Sequence, residues 1–213
     1  MSIIKYIKEE MKIIEERDPA IHSKWEVFLY PSFKVMLHYR LAHKLYMNGH
    51  YFLARWVSQR GVRKTGIEIH PGAQIGKGLF IDHGNGVIIG ETTIIGDNCT
   101  LYQGVTLGGT GKEHGKRHPT IGKNVMIGAG AKILGPFTVG DNSKIAANAV
   151  VLNEVPPNTT CVGVPAKPVK INGLRVSDLD QVHIPDPVSM ELCRLNVELE
   201  KIKKQLAEGK EEK

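Results

Sequence analysis

A ladder of aliphatic residues, each six positions after the last, runs through the middle of this chain. The spacing slips twice, by two residues around Asp82-His83 and by eight residues around Arg117-His118. The rungs are Ile69, Ile75, Ile81, Ile89, Ile95, Leu101, Leu107, Ile121, Ile127, Ile133, Val139, Ile145 and Val151. An α-helix does not bring every sixth residue to one face, whereas stacked coils of short strands do, because each strand points one side chain inward. The ladder therefore predicts a parallel β-helix of hexapeptide repeats over residues 66–155.

Small or thin side chains often stand four residues after a rung. They are Ala73, Thr93, Cys99, Val105, Val125, Ala131, Ser143 and Ala149. We expect them to point into the narrow interior beside the rungs. Glycine often follows a rung directly, as in Ile75-Gly76 and Ile95-Gly96. We expect these glycines at corners, where they tolerate dihedral angles that other residues avoid.

The segment before the repeat, residues 1–65, is predicted to be a helical domain. Apolar residues between Ile3 and Ile14 follow the spacing of an amphipathic helix. That helix ends at Asp18-Pro19, because a residue before proline avoids the helical region. Two further helices are predicted over residues 33–47 and 51–63.

The segment after the repeat begins with a proline-rich exit over residues 156–186 and continues as an amphipathic helix over residues 187–213. The helix carries a heptad seam. Its residues are Val188, Leu192, Leu195, Leu199, Ile202 and Leu206. The seam fits a self-associating coiled coil or a helix that docks on its own protein. Helices flanking a β-helix give an α+β fold class.

Composition argues against nucleic-acid binding, a membrane span and a disulfide framework. The net charge is +6, but the basic residues are spread along the chain without a block or aromatic interleaving, so we do not expect nucleic-acid binding. No apolar run approaches the roughly 20 residues of a membrane helix, and no signal peptide is evident. Cys99, Cys161 and Cys193 lie far apart and predict free thiols, as in the cytoplasm.

His83, in the first slip, is a candidate general base, because imidazole titrates near neutral pH. A carboxylate that fixes the imidazole tautomer would assist it, and Glu68, Asp82 and Glu91 are candidates. The alternative is a turn histidine with a single backbone hydrogen bond.

The second slip predicts a loop that leaves the β-helix between Gly108 and Pro119. Glycines allow its backbone to approach a ligand closely, and Lys112, Lys116, Arg117 and His118 make it cationic. An arginine fork suits a carboxylate or phosphate group. The alternative is a flexible, solvated loop.

These motifs resemble those of serine O-acetyltransferases, a family of hexapeptide acyltransferases. The resemblance covers roughly residues 15–170 and includes a DH pair followed by GGTGK and RHP in one loop. The matching strings are Asp18-Pro19-Ala20, Ile69-His70-Pro71, Ile75-Gly76-Lys77-Gly78, Asp82-His83, Val105–Lys112, Arg117-His118-Pro119, Met126–Gly135, VPPNTT and GVPAK. The resemblance implies a left-handed β-helix, assembled as homotrimers with active sites between subunits. It also implies the reaction of acetyl-CoA with L-serine to give O-acetylserine and CoA, the first step of cysteine biosynthesis, with no metal.

The resemblance also assigns roles to residues. His83 would remove the proton of the serine hydroxyl, and Glu68 would orient it, where other members usually carry aspartate. The serine ammonium and carboxylate would be held by acidic and basic residues, respectively: Asp18, Asp82, Arg117 and His118. CoA would lie beside small residues and one lysine: Gly109, Thr110, Ala129, Lys144 and Ala147.

Two departures and three alternatives stay open. The helical region before Asp18 is short for a dimer of trimers. The chain ends Glu211-Glu212-Lys213 instead of the isoleucine that docks into O-acetylserine sulfhydrylase, so we do not expect that complex. The alternatives are acetyl transfer to homoserine, a sugar or a drug; a zinc hydratase using His70, His83 and His118; and a non-catalytic scaffold.

Overall fold

The computed structural model describes residues 3–111 and 114–169, together with residues 194, 195, 198 and 199. Its first part is helical, as predicted. The helices are α1 (Ile3–Arg17), a 3-10 helix (Lys24–Leu29), α2 (Pro31–Met47) and α3 (Tyr51–Thr65). Sequence reasoning missed the 3-10 helix, which begins at Ser23, whose hydroxyl oxygen accepts a hydrogen bond from the backbone N–H of Trp25 at 3.3 Å. Gly66 closes α3 in the left-handed conformation.

Fifteen short strands follow in the described residues. They are β1 (Glu68–Ile69), β2 (Gln74–Ile75), β3 (Phe80–Ile81), β4 (Ile88–Ile89), β5 (Ile94–Ile95), β6 (Thr100–Leu101), β7 (Thr106–Gly108), β8 (Thr120–Ile121), β9 (Met126–Ile127), β10 (Lys132–Leu134), β11 (Thr138–Val139), β12 (Lys144–Ile145), β13 (Val150–Val151), β14 (Thr160–Val162) and β15 (Lys167–Val169).

The strands form three sheets, and from β1 to β13 every third strand joins the same one. Sheet A has the order β1-β4-β7-β10-β13, sheet B the order β11-β8-β5-β2, and sheet C the order β15-β14-β12-β9-β6-β3. All pairs are parallel except β14 with β15. The chain thus winds as a three-sided β-helix, with corners that we call A–B, B–C and C–A after the sheets they join.

The ladder lies inside this β-helix. All thirteen rungs are buried, as are the small residues predicted to lie beside them, from Ala73 to Ala149. The hexapeptide-repeat prediction is therefore confirmed.

The reason given for the glycines after the rungs was wrong. Gly96, Gly122 and Gly128 are not among the glycines with positive φ. A Cβ on Gly96 would come within 2.7 Å of the backbone carbon of Gly122 in the next coil. These glycines are required by close approach between coils, whereas asparagines such as Asn98 and Asn142 take left-handed positions at the B–C corner.

The helices are fixed to the first coils by buried contacts. The Tyr39 hydroxyl of α2 donates to the carbonyl of Ala73 at 2.7 Å. A small second core joins Ile14, Val27, Phe33 and Phe80, and so links α1, the 3-10 helix, α2 and β3. Because Asp18 follows α1 and Asp82 follows β3, this core brings the two carboxylates to the same region.

The structure places β14 and β15 within the segment predicted as a proline-rich exit, and both extend sheet C. Most of the predicted C-terminal helix, including all of it after residue 199, lies outside the described residues. Lys112 of the cationic loop lies outside them as well. Leu195 and Leu199 of the heptad seam are described as helical and are about half exposed. In the described part of the chain, no helix has both the length and the apolar character needed to cross a membrane.

Candidate functional site

The first slip forms the C–A corner between β3 and β4, with His83 at its tip. His83 has φ of 57°, a conformation that is uncommon for a residue other than glycine, and the next backbone N–H, of Gly84, donates to the carbonyl of Asp82. The His83 side chain is 77% exposed, with Nε2 3.9 Å from Asp82 Oδ1. Backbone strain at an exposed imidazole is typical of a functional position.

Glu68, the predicted orienting carboxylate, lies at the start of β1, close to the same corner. Its Oε1 accepts a hydrogen bond from the guanidinium of Arg55 in α3 at 3.1 Å. Ile67, the residue before it, is buried and faces Gly84 in the His83 turn. Glu68 therefore stands beside the turn of His83, with its carboxylate directed to Arg55.

Asp18 is hydrogen-bonded to a tyrosine that sequence reasoning missed, and the charge of Asp82 acts on the same tyrosine. The Tyr30 hydroxyl donates to Asp18 Oδ2 at 2.5 Å, and the backbone N–H of Ala20 donates to Asp18 Oδ1 at 2.8 Å. The hydrogen bond to Asp18, burial and the charges of Asp18, Glu26 and Asp82 together raise the pKa of Tyr30 to about 12. Asp82, the residue before His83, thus lies within electrostatic range of the Tyr30 hydroxyl that bonds to Asp18.

The second slip leaves the β-helix at the A–B corner, where Arg117 is held by a carboxylate. The Arg117 guanidinium pairs with Glu91 Oε2 at 2.5 Å, and the Tyr46 hydroxyl donates to Glu91 Oε1 at 3.0 Å. Burial alone would raise the pKa of Glu91, but the hydrogen bonds from Arg117 and Tyr46 and the nearby positive charge hold it below its ordinary value. Glu91, a candidate partner for His83, is therefore an ionised partner of Arg117.

His118 is fixed by Thr92, which sequence reasoning also missed. The Thr92 hydroxyl oxygen accepts the backbone N–H groups of Arg117 and His118 at 3.0 and 3.1 Å. The backbone N–H of Thr92 donates to His118 Nδ1 at 3.2 Å, which leaves Nε2 as the protonated nitrogen of the neutral ring. The imidazole packs against Gly90, where a Cβ would collide with it. The Arg117-His118 dipeptide is thus held in place by Thr92 and Glu91.

Burial makes both histidines of this corner harder to protonate. For His118, burial first and then the charge of Arg117 lower the pKa, against the opposite effect of Glu91. Burial likewise lowers the pKa of His70, whose Nδ1 accepts the backbone N–H of Gly72 at 3.0 Å. Both imidazoles therefore stay neutral at neutral pH.

We expect the thermal stability of the protein to fall as the pH drops below about 6.5, the ordinary pKa of histidine. In this range the unfolded chain binds protons that buried His70 and His118 do not, so protonation favours unfolding until the pH passes below their folded-state pKa values. Melting temperatures between about pH 5.5 and 7.5, above the carboxylate range, measure the effect. A His118→Gln variant should show a shallower slope, and an unchanged slope would contradict the assignment.

The residues assigned to CoA lie at both corners. Ala129 and Ala147 are stacked at the C–A corner, where the backbone N–H of Asn148 donates to the carbonyl of Ala129 at 2.8 Å, and Lys144 begins β12 on the adjoining sheet C. At about 4.8 Å per coil, Ala129 lies about 10 Å and Ala147 about 14 Å along this edge from the turn of His83. Gly109 and Thr110 are exposed at the base of the A–B loop.

The predicted site residues therefore divide between two edges of the β-helix. Asp18, Asp82 and His83 stand at the C–A edge, and Arg117 and His118 at the A–B edge. The width of sheet A separates the edges, roughly 10 Å or more at about 3.3 Å per residue. One chain does not join the two slips at one point.

The same division bears on the proposed zinc ligands. His70 and His118 share the A–B corner, whereas His83 stands at the C–A corner, so the three do not converge in one chain. Among the described residues, no group of three His, Cys, Asp or Glu side chains is placed to hold a metal ion.

Comparisons with known proteins identify the family of this fold. Residues 118–153 match the family model of bacterial transferase hexapeptide (six repeats). The serine acetyltransferase of Staphylococcus aureus strain MSSA476 is 52% identical over 203 residues, which cover 94% of each chain. The crystal structure of Neisseria gonorrhoeae serine acetyltransferase in complex with serine superimposes with a TM-score of 0.75 at 46% identity, over 79% of this chain and 69% of that chain. Serine acetyltransferase from Brucella abortus strain S19, in complex with coenzyme A, gives a TM-score of 0.75 at 44% identity, over 78% and 67%.

Proposed function

This chain belongs to the serine acetyltransferase family, and we propose that it transfers the acetyl group of acetyl-CoA to the hydroxyl of L-serine, the first step towards cysteine. The observation that carries the proposal is the C–A edge. There the carboxylates of Asp18 and Asp82, the exposed imidazole of His83 and the stacked small residues Ala129 and Ala147 follow one another along the β-helix. An ammonium, a hydroxyl and a pantetheine arm would meet these groups in that order.

The two edges come together if the β-helices associate side by side. We propose a homotrimer in which the C–A edge of one subunit faces the A–B edge of the next, so that each site takes its base from one chain and Arg117-His118 from another. The neutral His118 N–H and the Arg117 guanidinium would then receive the serine carboxylate, opposite the carboxylates of Asp18 and Asp82. The left-handed sense of the β-helix belongs to the same proposal, as does a C-terminal helix that self-associates through its heptad seam.

The chemistry requires one base and one leaving group. His83 takes the proton of the serine hydroxyl while the oxygen forms a bond to the carbonyl carbon of the thioester. The carbon–sulfur bond then breaks, and the proton on His83 passes to the departing CoA sulfur. O-acetylserine and CoA leave, and His83 returns to its neutral form.

The His83 imidazole needs a carboxylate to fix its tautomer, and the candidates near its turn are Asp82 and Glu68. Asp82 Oδ1 is 3.9 Å from His83 Nε2, too long for a hydrogen bond. Glu68 would serve if its carboxylate turned from Arg55 to His83 when the substrates bind. We propose Glu68 for this role, since it leaves Asp82 for the serine ammonium.

The function is tested by release of thiol from acetyl-CoA with purified protein. L-serine should support release, and homoserine, threonine and a sugar should support much less, because Asp18, Asp82, Arg117 and His118 together match a small amino acid. Release that is independent of serine, or equal with a sugar, would reject serine as the acceptor. Detection of O-acetylserine by mass spectrometry would establish the product.

A further inference from the structure

We propose that Tyr30 is a positioning residue, which holds the carboxylate of Asp18 in the geometry that receives the substrate ammonium. The inference rests on the proposed function and extends it to a residue outside both slips. Its basis is the hydrogen bond from the Tyr30 hydroxyl to Asp18 Oδ2 at 2.5 Å, the shorter of the two bonds to this carboxylate.

Asp18 needs such a partner because of where it stands. It follows the last residue of α1 and precedes a proline, so its backbone lies outside regular structure. Its side chain is half-buried, and the charge of Asp82 acts on the same Tyr30 hydroxyl that bonds to it. Like charges in one region repel, so the Asp18 carboxylate is held better with a hydrogen-bond donor than without one. A hydroxyl donor stabilises one carboxylate without adding a competing positive charge.

Tyr30 is itself held firmly. Its backbone N–H donates to the carbonyl of Val27 at 3.1 Å, closing the 3-10 helix, and its own carbonyl accepts the N–H of Lys34 in the first turn of α2. Pro31 follows it at the start of α2 and restricts the backbone further. The ring packs against the second core, which includes Phe80, two residues before Asp82. Tyr30 therefore links Asp18 to the cluster that contains Phe80 of β3.

Hydrogen bonds of Arg17, the residue before Asp18, also fix this segment. The Arg17 guanidinium donates to the Thr100 hydroxyl at 2.7 Å and to the carbonyl of Asn98 at 3.3 Å. Thr100 pairs with Phe80 in the adjoining strand. Arg17 therefore ties the end of α1 to sheet C, and Tyr30 sets the carboxylate of the next residue.

The test is Tyr30→Phe, which keeps the ring in the apolar cluster and removes only the hydroxyl. The KM for serine should rise about tenfold, the loss expected for a hydrogen bond to a charged group, with kcat and the KM for acetyl-CoA little changed. Inhibition by ethanolamine, which has the ammonium without the carboxylate, should weaken, and inhibition by 3-hydroxypropanoate should not. A selective effect on ethanolamine is not expected of a residue that only supports the fold.

A double-mutant cycle and a matched control complete the test. In an Asp18→Asn background, Tyr30→Phe should add little, because the charge that it positions is gone. Tyr39→Phe removes a buried hydroxyl that donates to Ala73, and should lower the melting temperature without changing the KM for serine. An unchanged KM in Tyr30→Phe, or a full additional loss in the Asp18→Asn background, overturns the inference. Absence of serine-dependent thiol release from the unmodified protein would instead reject the proposed function.

Discussion

Replacing His83 with asparagine should lower kcat by about 10²–10⁴-fold, the usual contribution of a general base. The KM values for serine and acetyl-CoA should change little, because the role we propose for His83 concerns the hydroxyl proton and neither charged end of serine. Asparagine is the replacement of choice, since it tolerates the left-handed backbone that His83 adopts with φ of 57°. The structure already uses asparagine in this conformation at Asn98, Asn124 and Asn142.

A comparison with alanine separates catalysis from folding. His83→Ala should lose as much activity as His83→Asn but melt at a lower temperature, because alanine carries the cost of a positive φ without the local hydrogen bonding of asparagine. His50→Asn, a substitution of an exposed histidine in the turn before α3, is the matched control and should keep full activity. Near-full turnover in His83→Asn would reject His83 as the base.

The fold was predictable because its pattern is local and repeats itself. Within each group, a rung lies six residues from the next, and a coil of three strands buries three rungs. The same local pattern therefore recurs in each coil, and each recurrence supports the same fold. The flanking helices were equally clear, since an amphipathic spacing and Asp18-Pro19 mark where α1 ends. The 3-10 helix was missed, because six residues without a periodic apolar pattern give no such signal.

The partners of the site residues were harder to predict, because they come from distant parts of the chain. Tyr46 and Arg117 are joined through Glu91, and nothing in their spacing indicates it. One signal was present but unused. Counting the rungs in threes puts Ile69, Ile89 and Leu107 on one sheet, so the residues after Ile89 must border the long loop after Leu107. That count predicts the contact of Glu91 and Thr92 with the loop.

The same count predicts the separation of the two slips. Ile81 lies on sheet C and Leu107 on sheet A, so the turns that follow them stand at different corners. In the proposed function the slips supply two halves of one site, which a single chain does not close. This is the physical reason to expect a site shared between subunits, and it makes Arg117 the residue whose substitution is most informative.

Arg117→Gln should raise the KM for serine by about 100-fold, because it removes a charged, two-pronged donor to the substrate carboxylate. Arg117→Lys should recover only part of the loss, since an ammonium keeps the charge but not the planar fork that also pairs with Glu91. Gly109 and Thr110 of the same loop are assigned to CoA, so an unchanged KM for acetyl-CoA would indicate that the loop still folds. Arg60→Gln alters a guanidinium of α3 that stacks on Trp56 and has no proposed role in the site, and it should leave both KM values unchanged.

Mixing the two defective chains tests where each half of the site resides. In a trimer with shared sites, a subunit carrying His83→Asn still offers Arg117 to a neighbour, and a subunit carrying Arg117→Gln still offers His83. Random assembly of equal amounts should then restore about one quarter of all sites, and about one site in three within each mixed trimer. Each variant alone should stay nearly inactive at low serine, and a chain carrying both substitutions should rescue neither single variant beyond its own activity. Co-expression with two affinity tags isolates the mixed assemblies, and thiol release measures them. If the mixed assemblies are no more active than the average of the two variants, both halves of the site lie in the same subunit and the shared site is wrong.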